Sequence, residues 1–247
     1  SSDRSLDELI ENFSLRRMDE VVRTDLSTQP VRGIYMNPSM PNLTVIDKMN
    51  GGKADSLNAG INRASFDYIC TIDADSLLEP ESLINIMYQT VVQDRETVAL
   101  GGNILPVNGC EVKNGSIRRI RLGRKPLVRF QTIEYFRAYL AGRLGWAQTN
   151  GMLIISGAFG VFSRRRVLEI GGYLTGRGRY KKDTVGEDME LVVRLHRHMR
   201  KSKSPYHVGY AFNANCWTEI PESMRILYRQ RDRWHRGLLE ILLFHKS

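Results

Sequence analysis

Two aspartates, Asp73 and Asp75, end an apolar run in the stretch YICTIDADSLLEP (68–80), separated only by Ala74. Side chains two apart in an extended segment point the same way, so both carboxylates would meet at one spot. Like charges held that close repel unless a cation lies between them, and hard oxygen ligands suit Mg2+ or Mn2+. A D-x-D triplet arises by chance about 0.7 times in a chain of this composition, so an exposed turn accounts for the triplet, taken alone, equally well.

Three other stretches carry chemistry. Glu187 and Asp188 follow Gly186 in GEDMEL, where acids favour a helix N-terminus, and Asp188 could also remove a proton from a hydroxyl. QRDRW sets Gln230, Arg233 and Trp234 in a Q-x-x-R-W spacing expected only about 0.008 times by chance. There Arg233 can pair with a diphosphate and Trp234 offers a flat face to a sugar ring. GGKADSLNAG (51–60) puts Lys53 at a Gly-rich helix entrance that favours phosphate, although the Walker spacing is absent. The small residues of SGAFG (156–160) leave room for a ligand or for tight packing.

The elements that must position these residues follow from periodicity and turn signals. Leu6, Leu9, Ile10 and Phe13 predict a first helix capped by Ser2 or Asp3. Strands are expected at 31–36, 43–47, 68–73, 97–105, 153–162 and 207–213, and helices near 54–64, 81–93, 127–143, after 163, from 187, and from Pro221 onward. A basic connector is expected at 108–125 and a mobile loop at 175–183. The alternation indicates an α/β layered single domain, and ligands of such sheets bind beyond the carboxyl ends of strands, where Asp73 and Asp75 fall.

The 247 residues are 42% hydrophobic and 26% charged, enough for a sizeable core. A formal charge of +9 favours an anionic partner. Nucleic acid is disfavoured, because no RNP, helix-turn-helix or zinc-finger pattern is present. Cys70, Cys110 and Cys216 are too scattered for a disulfide framework or a zinc site, which suits a reducing compartment. No apolar run reaches the ~20 residues that span a bilayer.

Taken in order, GGKADSLNAGIN, TIDADS, SGAFGVFSRR, GEDMEL and QRDRW resemble the inverting glycosyltransferases of family 2, in the branch with cellulose, hyaluronan and poly-N-acetylglucosamine synthases. The resemblance implies a GT-A fold, a Rossmann-like mixed β-sheet flanked by helices, and a nucleotide diphosphate sugar donor, most often a UDP-sugar. Asp75 would hold Mg2+ or Mn2+, Asp73 would sit against metal and nucleotide, and Lys53, Gln230 and Arg233 would lie on the donor side. Asp188 would be the base, with Trp234, Gly157 and Glu187 beside the glycan acceptor.

The opening SSDRS is similar to the tail of the family's D-G-S segment, so the first strand and first helix are expected to be missing and residues 1–247 to be a fragment of a catalytic domain. Relatives with Q-x-x-R-W carry membrane segments around that domain. This implies an interfacial helix at 221–245 and a cytoplasmic catalytic domain at the inner (plasma) membrane. The competing expectation is a catalytically silent nucleotide-binding or receptor protein on the same fold.

Overall fold

The computed structural model describes residues 4–19, 23–176 and 185–245. Most of the loop expected at 175–183 lies outside the described residues. The chain divides into two compact units, Ser1–Phe66 with Gly171–Thr184, and Asp67–Ile170 with Val185–Ser247.

The first unit contains α1 (Ser5–Phe13), β1 (Arg16–Met18), β2 (Val31–Asn37), β3 (Met40–Lys48) and α2 (Gly52–Arg63). β1, β2 and β3 form an antiparallel sheet in that order. Pro41 is tolerated because β3 is an outer strand. α2 is anchored by two buried asparagines one turn apart. Asn58 takes the Tyr173 amide on Oδ1 and donates to the Tyr173 carbonyl, both at 2.8 Å. Asn62 does the same to Leu26 at 2.9 Å. Each side chain mimics a strand partner for a loop residue, pairing both backbone groups of Tyr173 and of Leu26. Asp55 in the first turn is buried, ion-paired with Lys48, and accepts the Gln29 amide at 2.9 Å.

The second unit contains β4 (Tyr68–Ile72), β5 (Leu77–Leu78), α3 (Ser82–Val91), β6 (Glu96–Pro106), β7 (Glu111–Lys113), β8 (Ser116–Arg119) and α4 (Pro126–Phe136). A π-helical segment (Arg137–Arg143) leads into α5 (Leu144–Gln148), followed by β9 (Phe159–Ser163), α6 (Arg164–Glu169), α7 (Glu187–Ser202), β10 (Tyr206–Thr218) and α8 (Met224–Phe244). Its mixed sheet runs β4-β9-β6-β10-β5, parallel only between β6 and β10. β6 is buried along almost its whole length, as its apolar and glycine sequence VALGGNIL, broken only by Asn103, requires of a central strand. The core packs Ile86, Leu100, Ile104, Phe159, Val161 and Cys216 among its buried members.

Several expected elements shift. The basic connector folds back as the β7–β8 hairpin, because Asn114 and Gly115 both take positive φ (51° and 69°), the turn signal that an Asn-Gly pair carries. The strand expected at 153–162 is strand only from Phe159. The last helix starts at Met224 under a Ser223 cap that accepts the Ile226 amide, so Pro221 precedes it, with its carbonyl taken by Gln131 Nε2 at 2.7 Å. On α7 the buried positions are Glu190, Leu191, Val192, Leu195, His196 and Met199.

Candidate active site

Asp73 to Ser76 form a tight turn closed by the Ser76 amide on the Asp73 carbonyl at 3.1 Å. The extended geometry expected for the two aspartates is therefore corrected: Asp73 ends the strand half-buried, and Asp75 lies exposed inside the turn. Both ends of the turn are held. β4 pairs with β9 through Ile72 opposite Phe159, and β5 pairs with β10 through Leu78 opposite Cys216. Burial pushes the Cys216 thiol up to about 11, and the charges of Asp73 and Asp75 add to the rise.

No group of three or more His, Cys, Asp and Glu side chains gathers as a metal cage among the described residues. A pair of carboxylates fits Mg2+ or Mn2+ nonetheless. Mg2+ keeps water and substrate phosphate oxygens as most of its ligands and takes only one or two carboxylates from protein.

Asp188 occupies the second position of α7, half-buried, behind the Gly186 cap. Its Oδ2 accepts the Gly157 amide at 2.8 Å. The next residue, Ala158, accepts a hydrogen bond from Cys216 Sγ at 3.5 Å on its carbonyl. The short strand that follows the aspartate turn is thus joined to Asp188 through the Leu78–Cys216 pair, Ala158 and Gly157. The SGAFG stretch supplies the amide that orients Asp188.

α8 reaches the same N-terminus of α7. Gly237, one turn past Arg233 and Trp234, is buried against Gly186; a Cβ built on Gly237 would lie 3.0 Å from the Gly186 nitrogen. Only a pair of residues without side chains lets the two backbones approach so closely. On α8 the Gln230 Oε1 is buried with no hydrogen-bond partner among the described residues, Arg233 is exposed, and Trp234 is 41% exposed. One face of Trp234 lies under the Arg231 guanidinium at 4.6 Å, and Arg231 in turn pairs with Glu134 of α4 at 2.5 Å.

Asp73, Asp75, Gly157, Glu187, Asp188, Gln230, Arg233 and Trp234 all belong to the second unit; Lys53 belongs to the first, exposed in the opening turn of α2. The helix entrance beside Lys53 has its own occupants: Asn50 Oδ1 accepts the Gly52 amide at 3.0 Å, and the Asp55 carboxylate crowds Gly51. Sequence reading missed Glu79, Asn103, Tyr210, Asn215 and Trp217, which form a hydrogen-bonded network behind the aspartate turn. No motif marks them, since the partners lie more than a hundred residues apart in all four bonds.

The profile described as "Glycosyltransferase like family 2" matches residues 21–237. Among curated proteins the chain is 32% identical over 196 residues to the poly-beta-1,6-N-acetyl-D-glucosamine synthase of Staphylococcus aureus, covering 78% of this chain and 40% of that protein. It is 30% identical over 198 residues to the synthase of the same name from Staphylococcus epidermidis, covering 79% and 41%. The chain therefore spans well under half the length of these relatives. Among solved structures, a mannosyltransferase from Pyrobaculum calidifontis in complex with GDP-Man and Mn2+ superposes with a TM-score of 0.52 at 14% identity, covering 79% of this chain and 45% of that one. That likeness supports the GT-A fold, a mixed sheet flanked by helices.

Proposed function

Because the chain belongs to the glycosyltransferase-like family 2, we propose that it moves a sugar from a UDP-sugar to a hydroxyl of a growing glycan, inverting the anomeric carbon. The observation that carries this reading is the Gly157–Asp188 hydrogen bond, 2.8 Å, at one end of the contacts that lead to the short strand after Asp73 and Asp75. A proton acceptor and a pair of hard-oxygen ligands in one neighbourhood are what an in-line displacement on a sugar diphosphate requires. The names of the relatives direct the donor choice first to N-acetylglucosamine.

In this reading Asp188 takes the proton of the acceptor hydroxyl, and the Gly157 amide keeps its carboxylate oriented toward that proton. Asp75, with Asp73, would hold Mg2+ or Mn2+, which would supply positive charge to stabilise a leaving diphosphate. Arg233 and Gln230 bind the diphosphate, Lys53 the nucleotide, and Trp234, with Gly157 and Glu187, the acceptor. Charge that grows on the leaving group makes these donors act on turnover more than on ground-state binding.

The exposed Leu238, Leu239, Leu242 and Leu243 on α8 give that helix an apolar face suited to a membrane interface, with catalysis on the cytoplasmic side of the inner membrane. Among the described residues no helix is long and apolar enough to cross a membrane.

The test is transfer from a panel of labelled UDP-sugars by the intact protein, with Asp188→Asn and Asp75→Ala beside it. Asp188→Asn should lower turnover by about 10²–10⁴ while donor still binds, and Asp75→Ala should abolish transfer and Mn2+ dependence together. Transfer that survives both substitutions would overturn the reading.

A further inference from the structure

The turn that carries Asp73 and Asp75 is followed by a strand of only two residues, Leu77 and Leu78, too short to hold the turn by backbone pairing alone. The next residue adds the missing attachment. Glu79 accepts the Trp217 indole N–H on Oε1 and the Asn215 side-chain amide on Oε2, both at 2.8 Å. Its own amide donates to the Asn215 carbonyl at 3.3 Å, which also takes the Ser82 hydroxyl at 2.7 Å. Behind Asn215 the bonds continue inward: Asn103 Nδ2 donates to Asn215 Oδ1, and the Tyr210 hydroxyl donates to Asn103 Oδ1, both at 2.9 Å.

Every direction in this relay is forced by the carboxylate. An indole only donates and a carboxylate only accepts, so Asn215 must turn its NH2 toward Glu79. Its oxygen then faces Asn103, whose NH2 must point back, leaving Asn103 Oδ1 for the Tyr210 hydroxyl. Burial raises the Tyr210 phenol above its ordinary range, which keeps it a donor. Asn103, Tyr210 and Trp217 are buried while Glu79 and Asn215 are half-buried, so a mismatch at the inner, Asn103–Tyr210 end of the relay would go unrelieved by water.

We infer that Glu79 is a positioning residue for the metal-binding turn, holding it against β10 through a relay whose polarity its carboxylate sets. This rests on the reading of Asp73 and Asp75 as metal ligands. Replacing Glu79 by Gln leaves the Trp217 bond intact but puts an NH2 against Asn215. The relay can answer by reversing: Asn215 and Asn103 both turn over, and Tyr210 accepts instead of donating. Glu79→Gln is thus tolerated only while Tyr210 keeps its oxygen. Moving the carboxylate one place along, in Glu79→Gln with Asn215→Asp, restores all four bonds, with only the 79–215 bond reversed and the other three in their original directions.

The experiment measures Mn2+ binding to the intact protein by electron paramagnetic resonance of the free ion, with melting temperature followed in parallel. Tyr210→Phe and Glu79→Gln should each stay within about threefold of the parent Mn2+ affinity. The double variant Glu79→Gln/Tyr210→Phe should bind at least about tenfold more weakly than the two single effects predict together. Glu79→Gln/Asn215→Asp should return to within about twofold, with or without Tyr210→Phe. Should the double variant fail to fold, the exchanged pair still decides, because Glu79→Gln/Asn215→Asp weakening Mn2+ tenfold would overturn the relay. Additive effects on Mn2+, or effects on melting alone, overturn it as well. Loss of Mn2+ binding to the parent, or its survival in Asp75→Ala, would instead strike the metal assignment itself.

Discussion

The closeness of Gly186 and Gly237 makes Gly237→Ala the sharpest perturbation of the site that leaves its chemistry untouched. The added Cβ would stand 3.0 Å from the Gly186 nitrogen and 3.1 Å from both the Gly186 Cα and the Val185 carbonyl carbon. These are backbone atoms, which no rotamer change can move aside. Ordinary contact needs about half an ångström more, so α7 and α8 must part at the residue that caps α7, two positions before Asp188.

Two energies compete in stability. Overpacking a tight contact costs about 1–3 kcal/mol, and Ala favours a helix interior over Gly by about 1 kcal/mol. The net loss should be about 0–2 kcal/mol, leaving a folded protein. Turnover has no such compensation, because a misplacement near 1 Å costs up to about 100-fold. A half-ångström shift of Asp188 relative to Arg233 and Trp234 should therefore lower kcat about tenfold, with donor KM changed less than threefold. The assay is initial-rate transfer by the intact protein, with melting temperature read on the same preparation. Gly60→Ala is the control: nothing lies within 4 Å of its added Cβ, so activity should hold and stability rise by about 0.5–1 kcal/mol. Parent-level turnover in Gly237→Ala would show that the glycine crossing does not set the geometry of the base.

Trp234→Ala should raise the acceptor KM about three- to tenfold, in line with the loss of one aromatic stacking contact, and leave donor binding within twofold when measured by calorimetry. Asp55→Ala leaves Lys48 buried without its counter-charge and the Gln29 amide without its acceptor, so chemical denaturation should report a loss of about 3 kcal/mol from the first unit. Cys216, fully buried with its thiol pushed up to about 11, should resist alkylation at pH 8 in the native protein and react on unfolding. Its folded value lies above the ordinary 9.0, so its contribution to stability is complete below about pH 9 and drains away as pH rises toward 11.

Local signals carried much of this architecture. The i, i+3, i+4 spacing found α1, the acidic start and basic end found α7, and apolar runs found β2, β4 and β6, because each of these depends on neighbours within one element. The turn at Asp73 was misread as extended because its geometry is set by Leu77 and Leu78 pairing with β10, some 140 residues later. The Asn-Gly pair at 114–115 did announce its hairpin, but the surrounding arginines and lysine made the segment look like solvated loop. Position within a strand or helix is legible from the chain; which strand lies alongside is not.

The same division explains the motifs. Asp188 and Trp234 stand out by residue type, and their spacing within GEDMEL and QRDRW survives as helix geometry. What lets their two helices touch is a glycine from each motif's flank, Gly186 and Gly237, while the amide of Gly157 orients Asp188. Glycines and amides carry no chemical signature, yet a backbone N–H reaches a carboxylate, and two backbones touch, only where side chains are withheld. In the second unit the groups proposed to react are thus written as side chains, whereas the distances between them are written largely as the absence of side chains, which is why their convergence waited on coordinates.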